Sequence, residues 1–432
     1  MNTDVRPAEL FHNPIRAHDV PDPDVIALDE GGYALVASSF DRRPGLPLWW
    51  SEDLVSWEPA GFAGGWQPLV QPSGGVWAPS IRQHDGRLFI TWGDPDRGIY
   101  VVDAPALAGP WSEPRLIIAG AGLIDPCPFW DEDGSAWIVH GWARSRAGFA
   151  NRLSLVAVDP RLTSASAGSR TLVDGDQIDG CSVLEGPKLY RRGEHYWVFA
   201  PAGGVETGWQ YAFRATSLDG PWEHRVVLQQ GSTETNGPHQ GAWVAGVDGE
   251  EWFLHFQHTP HHGRILHLQP LAWTADDWPL IGAAVTGGAP EPVSDWPRPA
   301  RRPAAHRPER TLDWHGRDAD PREIVEEWDA DGRIRIAPGG SLGRPLPVGT
   351  TLVEVTLVDG DGFLAIAGQQ TREVHATGPA VMAVRIDGER ARMLVDGDPV
   401  GEEFAVRAPQ WTGIEYAIGS DGPGAALFRV SP

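Results

Sequence analysis

The chain has 432 residues, of which 41% are hydrophobic. This length and apolar content are enough to bury a large core and predict two domains. The formal net charge of −23 argues against nucleic acid and anionic membrane surfaces as partners, because both are negatively charged themselves. Two cysteines, Cys127 and Cys181, are too few for a secreted disulfide framework, and reduced thiols are favoured over a bridge between them.

The sequence contains neither a recognisable signal peptide nor a membrane span. Its first seven residues lack an apolar signal core, and no run of about 18 apolar residues occurs. We therefore expect a cytoplasmic protein, with a trimmed leader as the alternative. The 21 tryptophans suit stacking on sugar rings, but core packing is expected to take the larger share of them. Monomer and homo-oligomer both remain open.

Short strands joined by tight turns recur through the first two thirds of the chain. The turns are rich in Gly and Asp and fall at 29–32, 85–86, 131–134, 192–193 and 248–249, and apolar strands follow at 33–36, 88–92, 136–139, 196–199 and 252–256. Asp-Gly turns between such runs are typical of β-hairpins. Extended helical periodicity is almost absent, so we predict an all-β fold.

Each of these units begins with a corner that recurs along the chain. The corners contain Asp22, Trp77, Asp125, Glu185 and His239, at spacings of 55, 48, 60 and 54 residues. A period near fifty residues is typical of a propeller or a stacked array. Five units of four strands each predict a five-bladed β-propeller, in which ligands bind where the innermost strands meet the central channel.

The sequence changes character after the fifth unit. Six prolines lie in the tract 289–310, which predicts an extended strap or linker between domains. Beyond it, alternating apolar residues at 351–357, 381–386 and 426–430 predict a small β-sandwich. The predicted domains are therefore a propeller at 11–288 and a sandwich at 311–432.

Three of the five corners carry an acid, namely Asp22, Asp125 and Glu185. At matching phase in the repeat, these side chains are expected to meet at one mouth of the channel. Three carboxylates in one pocket repel each other, which separates their pKa values. Hydrolysis of a glycosidic bond needs one ionised base and one protonated acid. The alternative for any single corner is an ordinary turn.

Segments around the corners carry a family resemblance over about residues 11–285. They are Asn13-Pro14-Ile15, Pro21-Asp22-Pro23-Asp24, Ser38-Ser39-Phe40 with Pro44-Gly45-Leu46-Pro47, Gly75-Val76-Trp77-Ala78-Pro79, Ile124-Asp125-Pro126, Leu184-Glu185-Gly186-Pro187, Asn236-Gly237-Pro238-His239-Gln240-Gly241 and Gly263-Arg264-Ile265-Leu266-His267-Leu268-Gln269-Pro270. In this order they resemble glycoside hydrolase family 43. The segment that follows Phe40, Asp41-Arg42-Arg43, departs from the longer Phe-rich segment of the family.

This resemblance implies a five-bladed propeller and an inverting mechanism. Asp22 matches the general base, Glu185 the general acid, and Asp125 the residue that orients the acid and tunes its pKa. The form Asn-Gly-Pro-His-Gln-Gly at 236–241 resembles the branch that holds β-xylosidases and α-L-arabinofuranosidases. Both sugars present similar hydroxyl groups, so the sequence does not choose between them.

The resemblance also implies residues that bind the substrate and a cation. Phe40 and Trp77 match the apolar wall of the −1 site, and Arg264 matches a residue that binds sugar hydroxyls. For Arg264 the alternative is a structural role in a buried pair with an acid. His239 matches a channel histidine that helps to hold Ca²⁺ or Na⁺, largely through water, and a channel histidine without metal is the alternative. No organic cofactor is implied.

Three functions compete at this point. The first is an inverting exo-glycosidase acting on short oligosaccharides. The second is a carbohydrate-binding propeller without catalysis, and the third is a retaining fructan hydrolase on the same fold. The segment 49–74, with Trp49, Trp50, Trp57 and Trp66, is expected to wall the channel mouth. Such a wall favours release of one sugar at a time.

Overall fold

The structure, a computed structural model, describes residues 9–16, 19–40, 45–63, 75–166, 168–259 and 263–304 and separate segments between 325 and 430. The described part of the chain is built almost entirely of β-strands, which confirms the predicted all-β fold. Its helical structure is limited to α1 (Arg144–Ala147) and a 3₁₀ turn at Gly175–Gln177. No helix among the described residues is long and apolar enough to cross a membrane.

Strand β1 (Leu10–His12) precedes five four-stranded antiparallel sheets, each formed by consecutive strands. The first sheet contains β2 (Asp24–Ala27), β3 (Tyr33–Val36), β4 (Pro47–Ser51) and β5 (Glu58–Phe62); the second β6 (Trp77–His84), β7 (Arg87–Asp94), β8 (Gly98–Ala104) and β9 (Arg115–Ala119); the third β10 (Leu123–Trp130), β11 (Ala136–Trp142), β12 (Arg152–Val158) and β13 (Arg170–Asp174). The fourth contains β14 (Lys188–Arg192), β15 (His195–Ala202), β16 (Trp209–Ala215) and β17 (Glu223–Gln229), and the fifth β18 (His239–Ala245), β19 (Glu251–Thr259), β20 (Gly263–Trp273) and β21 (Pro279–Ile281).

The order of contacts between these sheets closes on itself. Strand β2 contacts β6, β6 contacts β10, and β10 contacts β14, while β18 contacts both β15 and β2. Buried apolar clusters lie between the first and second, second and third, third and fourth, fourth and fifth, and fifth and first sheets. Each sheet therefore buries both faces against its neighbours, and the first strands lie innermost.

Tight turns set the register of the first hairpin in each sheet. Asp85 and Gly86, which join β6 to β7, have φ of 48° and 70°. Asp248 and Gly249 take φ of 54° and 83° between β18 and β19. Positive φ at both central residues is the conformation that Asp-Gly pairs tolerate and that matches the twist of a hairpin. The predicted hairpin turns are confirmed at these positions.

Two of the four tryptophans predicted to wall the channel mouth lie in the core instead. Trp50 is buried in the cluster between the first and second sheets, and Trp57 in the cluster between the first and fifth. Trp49 packs against the latter cluster, and Trp66 lies outside the described residues. The prediction is therefore wrong for Trp50 and Trp57, because the outer strands of a sheet covered on both faces also face core.

The described part of the proline-rich tract, 289–304, contacts the fifth sheet near its start and the first sheet further along. Strand β22 (Asp295–Pro297) pairs with β1, and Arg302 donates a hydrogen bond to Leu28 O at 3.0 Å. Arg298 pairs with Asp53 at 2.5 Å, and Arg301 pairs with Glu52. These contacts tie the strap to the first sheet.

Two further antiparallel sheets follow the strap. One has the order β23-β24-β33-β26-β29-β30-β31 and the other β25-β32-β27-β28. Their strands are β23 (Val325–Trp328), β24 (Arg333–Ile336), β25 (Ser341–Pro345), β26 (Leu352–Asp359), β27 (Asp361–Ala367), β28 (Arg372–Thr377), β29 (Ala380–Asp387), β30 (Arg390–Val395), β31 (Asp398–Ala405), β32 (Glu415–Ser420) and β33 (Ala426–Val430). Strands β27 and β28 contact β29 of the larger sheet.

Candidate active site

A backbone irregularity recurs at the start of the innermost strand of every sheet. Its central residue has a positive φ, with values of 52°, 36°, 55°, 57° and 46° at Asp22, Ala78, Asp125, Gly186 and Gln240. The pairing register shifts at this point in the second, third and fifth sheets. Positive φ is uncommon outside glycine; it marks a bulge in these three sheets, and in the first and fourth it falls two residues before the innermost strand.

This register corrects one sequence prediction. Asp22 and Asp125 occupy the positive-φ position itself, whereas Glu185 lies one residue before it, at the position of Trp77 and His239. The prediction that all three acids share one phase of the repeat is therefore wrong by one residue for Glu185. Corner spacing in sequence cannot resolve this difference, because the connecting segments vary in length.

Asp22 lies against an arginine from the fifth sheet. Its carboxylate accepts a hydrogen bond from Ser38 Oγ at 2.6 Å and forms an ion pair with Arg264. Ser38 Oγ in turn accepts a hydrogen bond from Ala78 N at 2.7 Å, which links the first two sheets. The Arg264 backbone N–H donates to Asp19 Oδ1 at 2.8 Å. Sequence reasoning assigned no role to Ser38 or Asp19.

Asp125 and Glu185 lie together between the third and fourth sheets. Asp125 Oδ2 accepts a hydrogen bond from Gly186 N at 2.8 Å. Glu185 N–H donates to Pro201 O at 3.2 Å, and its side chain is 26% exposed. A side chain at Gly186 would come within 1.6 Å of Gln240 Oε1, and its φ is positive, so glycine is required after the acid.

The environment raises the pKa of both acids. Burial, then repulsion from Asp22, raises the pKa of Asp125 to about 7, against the hydrogen bond from Gly186. Burial, followed by the charges of Asp125 and Asp22, raises the pKa of Glu185 to about 8, while Arg264 opposes this shift. Glu185 is therefore held in its protonated form at neutral pH, as a general acid requires.

A second charged cluster lies beside these acids. Asp24 Oδ2 accepts hydrogen bonds from Ile81 N at 2.8 Å and Arg82 Nη1 at 2.6 Å, and Lys188 Nζ lies 3.8 Å away. Lys188, the only lysine in the chain, is buried and donates to Ser80 Oγ at 2.6 Å. Its charge lowers the pKa of Asp125. Because its members come from three sheets, the cluster cross-links innermost strands. No pattern in the sequence indicated it.

The predicted sugar-binding residues lie together at the acids. The Phe40 and Trp77 rings meet edge to face, with centroids 6.2 Å apart. The Arg264 guanidinium lies 5.8 Å from the Phe40 ring centroid and pairs with Asp22. An aromatic wall beside a charged donor suits a sugar, which has apolar C–H faces and hydroxyl edges. The structure shows the ion pair of Arg264 with an acid, beside the Phe40 ring, and the binding of sugar hydroxyls by Arg264 stays a prediction.

His239 is buried beside Glu185, with Nε2 at 3.5 Å from Glu185 Oε1. Neither ring nitrogen has a hydrogen-bond partner among the described residues. Burial, then the charge of Arg264, lowers the pKa of His239 to about 3, so the imidazole is neutral and its one unprotonated nitrogen can accept a cation or a water bound to it. Within the described part of the chain, no three His, Cys, Asp or Glu side chains cluster as a metal site.

Cys127 and Cys181 are both free thiols, as predicted. Arg82 Nη2 approaches Cys127 Sγ at 3.0 Å, and Cys127 is fully buried. Taken together, the ring of sheets, the three acids in different electrostatic settings and the aromatic rings match the requirements of a site that cleaves glycosidic bonds.

Comparison with known proteins identifies the family. The sequence profile of glycosyl hydrolases family 43 matches residues 11–279, more than half of the chain. The chain therefore belongs to glycosyl hydrolases family 43, in agreement with the resemblance found in its corners.

Relatives within the family carry two kinds of name. A protein of Xylanibacter ruminicola, provisionally named a beta-xylosidase, is 42% identical over 291 residues, which cover 64% of this chain and 52% of that protein. A non-reducing end alpha-L-arabinofuranosidase of Bacteroides ovatus is 30% identical over 300 residues, covering 63% of this chain and 54% of that protein. The chain spans about half the length of these curated relatives.

A solved structure supports the fold over nearly the whole chain. The crystal structure of xylan beta-1,4-xylosidase from Bacillus halodurans is similar, with a TM-score of 0.70 and 20% identity. The similarity covers 98% of this chain and 100% of that one. At this identity the comparison establishes the fold alone.

Proposed function

We propose that the protein is an inverting, exo-acting glycoside hydrolase that releases β-D-xylose or α-L-arabinofuranose from short plant-polysaccharide oligosaccharides. The observation that carries this proposal is the contrast among its acids: Asp22 pairs with Arg264, whereas the pKa of Glu185 is raised to about 8. Inverting hydrolysis requires one ionised and one protonated carboxyl group. Family membership and the names of both relatives support the same reaction.

Asp22 is the proposed general base. Arg264 and Ser38 each occupy one of its carboxylate oxygens and stabilise its negative charge. Each oxygen can accept a second hydrogen bond, so the carboxylate retains capacity to accept a proton from water. That water attacks the anomeric carbon from the face opposite to the leaving group, and the sugar leaves with inverted configuration.

Glu185 is the proposed general acid, which donates its proton to the glycosidic oxygen as the bond breaks. Asp125 supports this role in two ways. Its carboxylate holds Gly186 N–H at 2.8 Å, and its charge contributes to the raised pKa of Glu185. Phe40 and Trp77 form the proposed apolar wall of the −1 site, and Arg264 binds sugar hydroxyls beside it.

His239 is proposed to hold one Ca²⁺ or Na⁺ in the central channel. Neither ring nitrogen has a hydrogen-bond partner among the described residues, so the unprotonated nitrogen is available to the cation or to a water bound to it, and water would supply the oxygen ligands that such a cation prefers. Such a cation supplies positive charge beside the acids. Elemental analysis of purified wild type and His239→Ala tests this directly: metal bound to the wild type and lost from the variant supports the site, and equal content overturns it.

The architecture proposed for this activity is a five-bladed propeller at 11–288, a strap at 289–310 and a β-sandwich at 311–432. Five sheets with closed contacts and two further sheets after the strap support these boundaries. A cytoplasmic location suits an enzyme that receives short imported oligosaccharides. The chain has a net charge of −23, so the proposed partners are oligosaccharides rather than nucleic acids or membranes. Monomer and homo-oligomer both remain open.

Product analysis of early digests tests the exo activity and the sugar. Xylo- and arabino-oligosaccharides are incubated with wild type and with Asp22→Asn as the catalytic control, and products are separated by anion-exchange chromatography. Monosaccharide as the sole early product of the wild type supports the proposal and identifies the sugar. An early ladder of di- and trisaccharides contradicts exo action, and no hydrolysis of either series contradicts the substrate class.

A further inference from the structure

The proposed acid lies in a connecting segment that contains no strand. Glu185 belongs to the segment 175–187 between β13 and β14, which holds only the 3₁₀ turn Gly175–Gln177. A connection of this length without strand pairing needs other contacts to hold one side chain in place. Those contacts determine how accurately Glu185 is presented.

Three consecutive backbone N–H groups around the acid are each held by a different acceptor. Leu184 N–H donates to Asn151 Oδ1 at 2.9 Å, and Glu185 N–H donates to Pro201 O at 3.2 Å. Gly186 N–H donates to Asp125 Oδ2 at 2.8 Å. Asp125 lies in β10 of the third sheet, and Asn151 directly precedes β12 of the same sheet. Asn151 holds the N–H of the residue before Glu185, and Asp125 holds the N–H of the residue after it.

The amide nitrogen of Asn151 holds the earlier part of the same segment. Asn151 Nδ2 donates to Asp176 Oδ1 at 2.7 Å and to Cys181 O at 3.3 Å. The backbone carbonyl of Asn151 also accepts a hydrogen bond from Gly175 N at 2.9 Å. Because Asn151 is only 5% exposed, its amide has little access to water, and leaving the amide without partners is costly.

The local backbone is shaped for this side chain. Asn151 has a φ of 59°, a left-handed conformation that asparagine tolerates better than most residues. A Cβ atom at Gly175 would lie 2.7 Å from Asn151 Oδ1, closer than real contacts allow. Glycine at 175 therefore lets the segment approach the amide.

We propose that Asn151 is a positioning residue for the general acid: it fixes the segment 175–187 so that Glu185 reaches the glycosidic oxygen. This inference rests on the proposed role of Glu185 as the acid. Loss of the amide lets the segment shift, and a displacement of about 1 Å at a reacting group costs on the order of 100-fold in rate. The loss falls on proton donation, so it depends on how much the leaving group needs a proton.

Aryl glycosides of the sugar that the enzyme cleaves provide the test. Phenyl and 2,4-dinitrophenyl glycosides differ in leaving-group acidity, and only the phenyl substrate needs strong protonation. Asn151→Ala is expected to lower kcat/KM about 10- to 100-fold on the phenyl glycoside and less than about 3-fold on the dinitrophenyl glycoside. An equal loss on both substrates, or no loss on either, overturns the inference.

Asn13→Ala is the matched control for the loss of a multiply bonded asparagine. Asn13 Nδ2 donates to Leu268 O and Val293 O, both at 2.8 Å, and Asn13 Oδ1 accepts from Leu268 N at 2.9 Å. These contacts join the strap to the fifth sheet. Asn13→Ala is expected to lower the melting temperature without changing the ratio of the two aryl rates.

If Asn151→Ala fails to fold, a second set of variants that exchanges Asn and Asp between positions 151 and 176 keeps the inference testable. Asn151→Asp retains the acceptor for Leu184 N–H but turns an oxygen toward Asp176 Oδ1, where 2.7 Å is too close for two carboxylates. Adding Asp176→Asn restores a donor between the two residues. The inference predicts a raised leaving-group dependence in Asn151→Asp and its reversal in the double variant; no reversal contradicts it.

Glu185→Gln separates this inference from the proposed function. If Glu185→Gln shows no leaving-group dependence, Glu185 is not the acid and the proposed function fails. If Glu185→Gln shows it and folded Asn151 variants do not, the acid stands and only the positioning role of Asn151 is overturned.

Discussion

Asp22 and Glu185 are acids at the same end of the molecule, but the sheets around them supply different neighbours. On the side of the first and fifth sheets, Arg264 and Ser38 bind Asp22, which is 7% exposed. On the side of the third and fourth sheets, Glu185 is 26% exposed yet has a pKa raised to about 8. The direct ion pair of Asp22 with Arg264, and the burial and like charges that raise the pKa of Glu185, therefore distinguish the base side from the acid side.

The largest effect is expected at the base side. Asp22→Asn removes the group proposed to activate water, so kcat should fall about 10²- to 10⁴-fold. The loss should be similar for phenyl and dinitrophenyl glycosides, because a better leaving group does not replace the base. Steady-state kinetics on both substrates measure this, and wild-type turnover in Asp22→Asn would remove it from catalysis.

Glu185→Gln should lose activity on a comparable scale, about 10²- to 10⁴-fold, on the phenyl glycoside. Here the dinitrophenyl glycoside should recover a large part of the rate, since its leaving group departs without a proton. The same kinetics distinguish the two sides of the site. Equal losses on both substrates would mean that Glu185 is not the proton donor.

Arg264 forms the ion pair that sets Asp22 apart from Glu185. Its removal should therefore make the electrostatic surroundings of the two acids more alike. A charged hydrogen bond to a sugar hydroxyl is worth about 1.5–3 kcal/mol, so Arg264→Ala should lower kcat/KM about 10- to 150-fold. Phe40→Ala should cost less, about 1–2 kcal/mol of apolar contact. A drop in melting temperature with unchanged kcat/KM would assign Arg264 a structural role only.

The raised pKa of Glu185 predicts the alkaline limb of the activity profile. Proton donation requires the protonated form, so kcat/KM should fall as the pH rises through about 8. Arg264 lowers the pKa of Glu185, and its removal in Arg264→Ala should therefore move this limb to higher pH. A limb that stays in place, or moves to lower pH, would contradict the assigned electrostatics.

The raised pKa of Glu185 should also make the free energy of unfolding depend on pH, with a smaller effect than on activity. The pKa of Glu185 rises from 4.5 to about 8 on folding, so the folded state binds the extra proton and loses stability as the pH rises through this range. Glu185→Gln lacks this loss and should be more stable than wild type by on the order of 1 kcal/mol at about pH 9, but not at about pH 4. Denaturant unfolding at both pH values checks the sign.

The repeat in the sequence was enough to find the three acids and the all-β fold. The repeat could not show that Glu185 lies one residue before the position of the other two acids. Bulges and connections of varying length mean that equal spacing in sequence does not give equal positions along the strands. The sequence allowed a buried pair of Arg264 with an acid but could not name Asp22 as that acid, because the two residues are 242 positions apart. Trp50 and Trp57 were misplaced because stacking and core residues look alike in sequence.

Asn151 illustrates a further limit of sequence reasoning. It lies outside the five corners, and its importance comes from contacts with Asp176 and Leu184 across a connection without regular structure. Periodicity identifies strands and the residues that begin them. Residues that position a connecting segment become visible only when the hydrogen bonds are known.

The central claim is that Asp22 and Glu185 act as base and acid on opposite sides of one glycosidic bond. Proton NMR of the first-formed sugar, recorded before mutarotation, tests it most directly. The account predicts inverted anomeric configuration, because water activated by Asp22 attacks opposite to the departing group. A retained configuration would instead require a covalent intermediate on one carboxylate and would contradict these roles.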